Sequence, residues 1–124
     1  VKLKYVDKWN EKRWQTAQKY NKLLNAANTV IPTEASYAKH VYHMYVIRVQ
    51  RRNELQSHLK QNEVASAIYY PIPLHLLEAY TDLGYNKGDF PNSEKACQET
   101  LAIPMYPDMP DEQAEVVVKS ITAF

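Results

Sequence analysis

The sequence predicts an α+β domain, with a small sheet of about three strands covered by helices and preceded by a long N-terminal helix. Three observations favour this class. A helical stripe runs through residues 3–24, short β-branched and aromatic segments alternate with amphipathic ones, and the last segment has an apolar face at helical spacing. With 124 residues, the chain can bury a core without disulfides or metals.

Residues 3–24 predict one long helix. It would be roughly 30 Å long, which is longer than a domain of this size can cover, so part of it is expected to pack outside the chain. A surface helix with half-buried Trp9 and Trp14 is an equally favoured alternative. The expected buried stripe consists of Leu3, Val6, Ala17, Tyr20 and Leu24.

Three strands are predicted from β-branched and aromatic runs. Residues 41–49 are predicted to form a central strand because they are apolar on both faces. Residues 65–70 form a second strand that Pro71 ends, and residues 101–105 form a third that Pro104 places at an edge. Residues 25–32 are expected to form the loop after the first helix.

Four further helices are predicted around these strands. Asn53 is expected to cap the first, and Gly84 to follow the end of the second. Asn92 or Ser93 is expected to cap the third, and Pro110 lies in the first turn of the last. Their expected buried faces are, in order, Leu55 and Leu59; Leu74, Leu77 and Tyr80; Ala96, Cys97 and Leu101; and Ala114, Val117, Val118, Ile121 and Phe124.

Charge and composition exclude several classes of function. The 15 basic and 14 acidic residues leave a net charge of +1, which predicts binding to neither nucleic acid nor an anionic membrane. No apolar run approaches the roughly 20 residues of a membrane span. Cys97 is the sole cysteine, which excludes an internal disulfide and indicates a reducing compartment, the cytoplasm.

Glycine is scarce and tyrosine is abundant. Gly84 and Gly88 are the only glycines. A loop that wraps a phosphate normally needs several glycines, so the sequence contains neither a P-loop nor a dinucleotide-binding fingerprint. Tyrosine occurs 10 times, against two tryptophans and two phenylalanines. Its apolar ring and polar tip suit half-buried interfaces and ligand pockets.

The remaining reactive side chains predict no metal site and no catalytic pair. His40 and His43 would point to opposite faces of a strand, and His58 has no second ligand at helical spacing. Cys97 lies in an amphipathic segment, where packing is favoured over a nucleophilic role. No two carboxylates are spaced for acid–base chemistry.

One segment presents polar groups on a stiff backbone. Tyr69 and Tyr70 run into Pro71 and Pro73, which fix the backbone, and His75 follows. At a strand end, these hydroxyls and the imidazole could bind a sugar or a phosphate. The alternative, slightly favoured on the residues alone, is that the prolines end the strand and the rings fill the core. Residues 104–107 carry the same ambiguity.

Taken together, these motifs resemble the C-terminal part of the DegT-type aminotransferases. The pattern is a strand ending in Tyr-Tyr-Pro, then Pro-Leu-His, a Gly-Tyr and Gly-Asp-Phe-Pro stretch, a glutamate, and Leu-x-x-Pro-Met-Tyr-Pro. Matching upstream segments are residues 9–13, 17–20, 40–43 and 45–48. The motif positions are Tyr69, Tyr70, Pro71, Pro73, Leu74, His75, Gly84, Tyr85, Gly88, Asp89, Phe90, Pro91, Glu94, Leu101, Pro104, Met105, Tyr106 and Pro107.

The resemblance implies a pyridoxal-phosphate enzyme that moves an amino group from an amino acid, glutamate, to a nucleotide-linked keto sugar. It implies that the cofactor lysine, a carboxylate and the phosphate cradle lie in an N-terminal domain that this chain lacks. Residues 1–25 would then be an interdomain helix and residues 33–124 the small α+β domain. Together they would form a single domain, which is expected to be inactive alone. The opening on Val1, inside a predicted helix, fits a fragment.

By the same resemblance, Tyr69, Tyr70 and His75 would line the nucleotide-sugar side of the cleft, with no catalytic, cofactor-binding or metal-binding residue in this chain. The implied assembly is a cytoplasmic homodimer with active sites near the interface. Two alternatives stay open. One is a dehydratase or a regulator-like member of the same family, and the other is a stand-alone, tyrosine-rich binding domain.

Overall fold

The computed structural model describes residues 1–24 and 29–124. The described part contains a long N-terminal helix, a two-stranded sheet and several shorter helices, which confirms the predicted α+β class. In chain order the elements are a 3₁₀ turn at Lys2–Tyr5, α1 at Val6–Leu24, β1 at Tyr45–Arg48, α2 at Arg52–Gln61, 3₁₀ helices at Leu74–Leu76 and Glu78–Leu83, α3 at Pro91–Glu99, β2 at Thr100–Ile103 and α4 at Asp111–Thr122.

The sheet is an antiparallel pair. Strand β1 runs against β2 in a register that places Tyr45 opposite Ile103 and Arg48 opposite Thr100. A single bridge extends each edge, from Val30 to Arg48 on one side and from Ala67 to Ala102 on the other. Within the described residues, the sheet therefore consists of two strands, with one bridging residue beside each of them, Val30 and Ala67.

The predicted strand at residues 65–70 is wrong, because only Ala67 pairs with β2. The carbonyl groups that a longer strand would use already have partners. The Tyr20 hydroxyl donates to the Pro104 carbonyl over 2.9 Å, and the Arg52 guanidinium donates to the Thr100 carbonyl over 3.1 Å. Pro104 also has no N–H to offer.

The predicted strand at residues 41–49 is confirmed only from Tyr45 to Arg48. Tyr42 adopts a left-handed conformation with φ 45°, and its N–H donates to Nδ1 of His40 over 2.9 Å. This local turn keeps residues 41–44 out of the sheet. His40 and His43 therefore precede the strand rather than lying on its two faces.

Helix α1 confirms the second half of its predicted stripe. Ala17, Tyr20 and Leu24 are fully buried, and α1 packs against α4. Leu3, in contrast, is 84% exposed because the chain begins with a 3₁₀ turn rather than with the α-helix. The predicted loop at residues 25–32 lies in part outside the described residues, which resume at Thr29.

Two predicted helix caps are wrong. Helix α2 begins at Arg52, so Asn53 lies inside it, although Leu55 and Leu59 are buried as expected. Helix α3 begins at Pro91, before both Asn92 and Ser93. Proline suits the first position of a helix because its missing N–H would have no partner there.

Residues 74–83 form two 3₁₀ helices rather than one α-helix, because Leu77 is extended between them. Gly84 ends the second with φ 75°, the left-handed conformation predicted for the position after a helix. Leu101, expected on the face of α3, lies in β2 instead.

Helix α4 packs against both α1 and α2. Phe124 is the exception to its predicted face, since the helix ends at Thr122 and this ring is 41% exposed. The guanidinium of Arg51 lies over the Phe124 ring, 4.7 Å from its centroid. The remaining predicted residues are buried, namely Ala114, Val117, Val118 and Ile121.

Candidate functional site

Tyr69 and Tyr70 follow the single bridge at Ala67 and present their rings to solvent. Their exposed fractions are 47% and 72%, and the rings meet edge to face with centroids 5.9 Å apart. The peptide bond between them is cis. Because neither ring fills the core, the packing alternative from the sequence does not apply to these two residues.

His75 is held differently from the tyrosines. Its side chain is only 7% exposed, and its Nε2 lies 3.1 Å from Oε1 of Glu94 in α3. The Phe90 ring packs against the imidazole with centroids 4.8 Å apart. The imidazole is therefore fixed by residues from the following helix and from the turn before it.

The segment from Gly84 to Phe90, called the 84–90 turn below, is closed by its own hydrogen bonds. The N–H of Asn86 donates to Oδ2 of Asp89 over 2.7 Å, and the Asp89 N–H donates back to the Asn86 carbonyl over 3.2 Å. Gly88 has φ 101°, a conformation that side chains disfavour. This geometry directs the Gly88 N–H to Oε1 of Glu94, 2.7 Å away.

Glu94 thus joins two otherwise separate segments. The Gly88 N–H lowers the pKa of the Glu94 carboxyl most, and His75 lowers the same pKa further. The carboxylate is therefore charged at neutral pH and can only accept hydrogen bonds. Sequence reasoning assigned Glu94 no role, although the Gly-Asp-Phe-Pro motif with a glutamate three residues later was a visible signal.

Between His75 and the 84–90 turn lies a cavity of about 370 Å³, a size typical of small-ligand sites. Apolar and aromatic side chains dominate its walls, and its polar groups include the His75 imidazole and the Ser93 hydroxyl. Tyr69 and Tyr70 are not part of it, so the structure separates the three predicted residues into an exposed pair and a cavity residue. The lining residues are Leu74, His75, Tyr80, Leu83, Tyr85, Phe90 and Ser93.

A second, polar cavity of about 670 Å³ lies beside α1. Glu34 organises it, because its two carboxylate oxygens accept from the Trp14 indole N–H over 2.9 Å and from the His40 backbone N–H over 2.8 Å. The His40 N–H and then the Trp14 N–H lower the pKa of Glu34. The carboxylate is already satisfied by these donors, so the cavity offers little for chemistry.

Across residues 1–24 and 29–124, His, Cys, Asp and Glu side chains nowhere gather in threes around a position where a metal could bind. Cys97 is partly buried. In the same part of the chain, every helix is too short or too polar to cross a membrane.

The model of the DegT/DnrJ/EryC1/StrS aminotransferase family matches residues 1–122. The chain belongs to this family. Its match is to the C-terminal part, and the chain spans about a third of the length of the curated relatives it matches.

Relatives in the family carry both enzymatic and regulatory names. The "Pleiotropic regulatory protein" of Geobacillus stearothermophilus is 42% identical over all of this chain and 34% of its own length. The dTDP-3-amino-3,6-dideoxy-alpha-D-galactopyranose transaminase of Aneurinibacillus thermoaerophilus is 32% identical over all of this chain and 34% of its own length. The crystal structure of S. venezuelae DesV is 30% identical, with a TM-score of 0.94, and the match covers 98% of this chain and 33% of that one.

The aminotransferase family implies pyridoxal phosphate, but the residues of this part of the protein do not fit that cofactor. A phosphate cradle needs free backbone N–H groups, whereas the Gly84 N–H donates to the Thr81 carbonyl and the Gly88 N–H donates to the negatively charged Glu94. Every lysine except Lys12 is exposed, and no lysine lines the cavity beside His75.

Proposed function

We propose that the full-length protein is a pyridoxal-phosphate-dependent aminotransferase that acts on a nucleotide-linked keto sugar, with glutamate as the amino donor. The observation that carries this proposal is the match of the whole chain to a dTDP-amino-sugar transaminase at 32% identity. The described residues form no binding site for the cofactor, so in this proposal the chain provides part of the substrate-binding side of the cleft. Alone it is inactive.

Tyr69, Tyr70 and His75 are the proposed substrate-binding residues. The two tyrosine rings are exposed, so their faces can stack on a sugar and their hydroxyls can donate to it. His75 adds an imidazole to a cavity with mostly apolar and aromatic walls. In this proposal these three side chains bind and orient the sugar, and the chain contributes no catalytic residue.

The proposed setting is a cytoplasmic homodimer with active sites near the interface. Its support is the number of large apolar side chains exposed among the described residues, because exposed apolar surface is typical of an interface. Leu3 and Tyr5 expose such groups at the N-terminal end, and Ile72, Leu74 and Leu83 expose them around the candidate site.

Product analysis with the full-length protein tests the proposal. The protein is incubated with pyridoxal phosphate, L-glutamate and a dTDP-linked keto sugar, and the products are identified by liquid chromatography with mass spectrometry. We expect a dTDP-amino sugar and an equal amount of 2-oxoglutarate, and neither product without glutamate. A deoxygenated sugar without amination would instead identify a dehydratase.

A regulator-like function is the second candidate. Its specific support is the regulatory name of the Geobacillus relative, which is 42% identical to this chain. A regulator predicts that the full-length protein forms no amino sugar with any keto sugar tested while still folding normally. Amine formation at a rate typical of enzymes, roughly 1 s⁻¹ or more, would exclude it.

A separate experiment tests the proposal that this chain binds the substrate and does not bind the cofactor. Residues 1–124 expressed alone are titrated with pyridoxal phosphate, followed by absorbance and by borohydride trapping. We expect no stoichiometric labelling, because every lysine except Lys12 is exposed and the Gly84 and Gly88 N–H groups already donate hydrogen bonds within the protein. Trapping at one specific lysine would contradict this proposal.

A further inference from the structure

A single carboxylate oxygen, Oε1 of Glu94, holds both the imidazole and the turn beside the cavity. It lies 3.1 Å from Nε2 of His75 and 2.7 Å from the Gly88 nitrogen. An ionised carboxylate has no hydrogen to donate. A hydrogen bond at this distance therefore requires the hydrogen to reside on Nε2 of His75.

The hydrogen on Nε2 determines what the other ring nitrogen can do. In a neutral imidazole one nitrogen donates and the other accepts, and the partner of one fixes the role of the other. Within residues 1–24 and 29–124, the only hydrogen-bond partner of the His75 ring is Glu94 through Nε2. In the neutral ring, Nδ1 is then the acceptor left for a ligand in the cavity that His75 lines.

The surroundings keep this arrangement in place. The His75 side chain is 7% exposed and that of Glu94 is 12% exposed, so water competes little for their hydrogen bond. The Phe90 ring packs on the imidazole, with centroids 4.8 Å apart. The Tyr85 ring in turn meets the Phe90 ring edge to face, with centroids 5.0 Å apart. The ring can neither flip nor tilt without displacing these aromatic walls.

We propose that Glu94 is a positioning residue, which fixes the hydrogen of His75 on Nε2 and thereby presents Nδ1 to the cavity as an acceptor for a sugar hydroxyl. This inference rests on the proposed function for the identity of the ligand. An acceptor at this place favours hydroxyl donors and disfavours phosphate oxygens, which are acceptors themselves. Because the same oxygen binds the Gly88 N–H, the 84–90 turn is held at a fixed distance from His75.

The tautomer of His75 is measured without any activity. The full-length protein is labelled with ¹⁵N-histidine, and ring nitrogen shifts are recorded at alkaline pH, with the His75→Gln variant assigning the signal. We expect a protonated Nε2 and an unprotonated Nδ1 in the wild type and in the control Glu112→Ala, which removes an exposed carboxylate. In Glu94→Ala we expect a mixture of both tautomers.

The Glu94→Gln variant keeps the side-chain shape and covers the case in which Glu94→Ala fails to fold. Its amide can donate as well as accept, so we expect the share of the Nε2–H tautomer to fall. A protonated Nδ1 in the wild type, or a tautomer that is unchanged in the Glu94 variants, would overturn the proposal.

Steady-state kinetics of the full-length enzyme provide a second test of the positioning role of Glu94. We expect Glu94→Ala and His75→Ala each to raise KM for the keto sugar by about tenfold, with kcat changed by less than about threefold. Because Glu94 acts on the ligand mainly through His75, the loss in the double variant should be smaller than the product of the two single losses. Multiplied losses in the double variant would overturn the positioning role. If the wild type aminates no sugar, the proposed function fails, whereas the tautomer measurement still decides the role of Glu94.

Discussion

The hydroxyl of Tyr20, in the long helix α1, donates a hydrogen bond to the carbonyl oxygen of Pro104 over 2.9 Å. Tyr20 is fully buried, and Pro104 directly follows β2. The contact therefore joins the N-terminal helix to the end of the sheet across 84 residues of sequence. Burial raises the pKa of the Tyr20 hydroxyl well above its usual value, and Tyr45 and Tyr106 raise it further, so the group stays a donor.

Replacement of this hydroxyl tests how firmly α1 belongs to the domain. We expect Tyr20→Phe to lower the free energy of unfolding by about 1.5 kcal/mol, because it leaves a buried carbonyl without its donor. Urea denaturation followed by circular dichroism measures the change. Tyr5→Phe is the matched control, since that ring is 43% exposed and should change stability by less than about 0.5 kcal/mol. Equal effects of the two variants would mean that the Pro104 contact contributes little.

Two neighbouring valines in α4 separate core packing from helix propensity. Val117 is 4% exposed and Val116 is 52% exposed. We expect Val117→Ala to cost about 2 kcal/mol of unfolding free energy through lost burial and the cavity it leaves. Val116→Ala makes the same chemical change on the exposed face and should be neutral or slightly stabilising. Thermal and urea unfolding of both variants would reveal an error in the assigned face if their order were reversed.

The lowered pKa of Glu94 predicts a dependence of stability on pH. Since the folded pKa lies below the ordinary value of 4.5, the charged carboxylate stabilises the fold above that value. This stabilisation is lost as the pH falls through the folded pKa. We therefore expect the stability difference between wild type and Glu94→Gln to hold above pH 4.5 and to shrink as the pH falls below that value.

Urea midpoints at a series of pH values measure that difference. Gln98→Ala, on the exposed face of α3, is the control, because it removes no titrating group and its offset from the wild type should not vary with pH. A Glu94→Gln offset that is constant across the acid range would contradict the assigned hydrogen bonds.

The exposed tyrosine pair predicts an effect on the substrate rather than on folding. Tyr70 is 72% exposed, so we expect Tyr70→Phe to leave stability unchanged. Under the proposed function, it should raise the KM of the full-length protein for the nucleotide sugar by about three- to tenfold, the value of one hydrogen bond. Tyr37→Phe, at a ring that is 91% exposed beside the other cavity, is the control. Unchanged kinetics for Tyr70→Phe across a range of sugar concentrations would remove Tyr70 from the site.

Local sequence patterns predicted the helices better than the sheet. The stripe of Ala17, Tyr20 and Leu24 and the face of Val117 and Ile121 were visible because helical contacts repeat every three to four residues. The strand predicted at residues 65–70 failed because pairing depends on distant groups. Arg52 and Tyr20 occupy the Thr100 and Pro104 carbonyls, and no pattern within residues 65–70 reports that.

The candidate site divides in the same way. The motif residues Tyr69, Tyr70 and His75 could be selected from the sequence, but their separation into an exposed pair and a cavity residue could not. The role of Glu94 depends on Gly88 adopting a positive φ, which aims its N–H at the carboxylate. A sequence shows that a glycine permits this conformation, and only the folded chain shows that the conformation is used.

The sequence by itself determined the α+β class, the family and the absence of a glycine-rich phosphate loop, because composition, periodicity and motif spacing are properties of the chain. Only the tertiary structure shows which side chains bind the Thr100 and Pro104 carbonyls and which nitrogen of His75 lies against Glu94. Both depend on hydrogen bonds between residues that lie far apart in sequence, such as Tyr20 with Pro104 and His75 with Glu94. Burial makes these bonds decisive, since a buried polar group must find a partner in the protein.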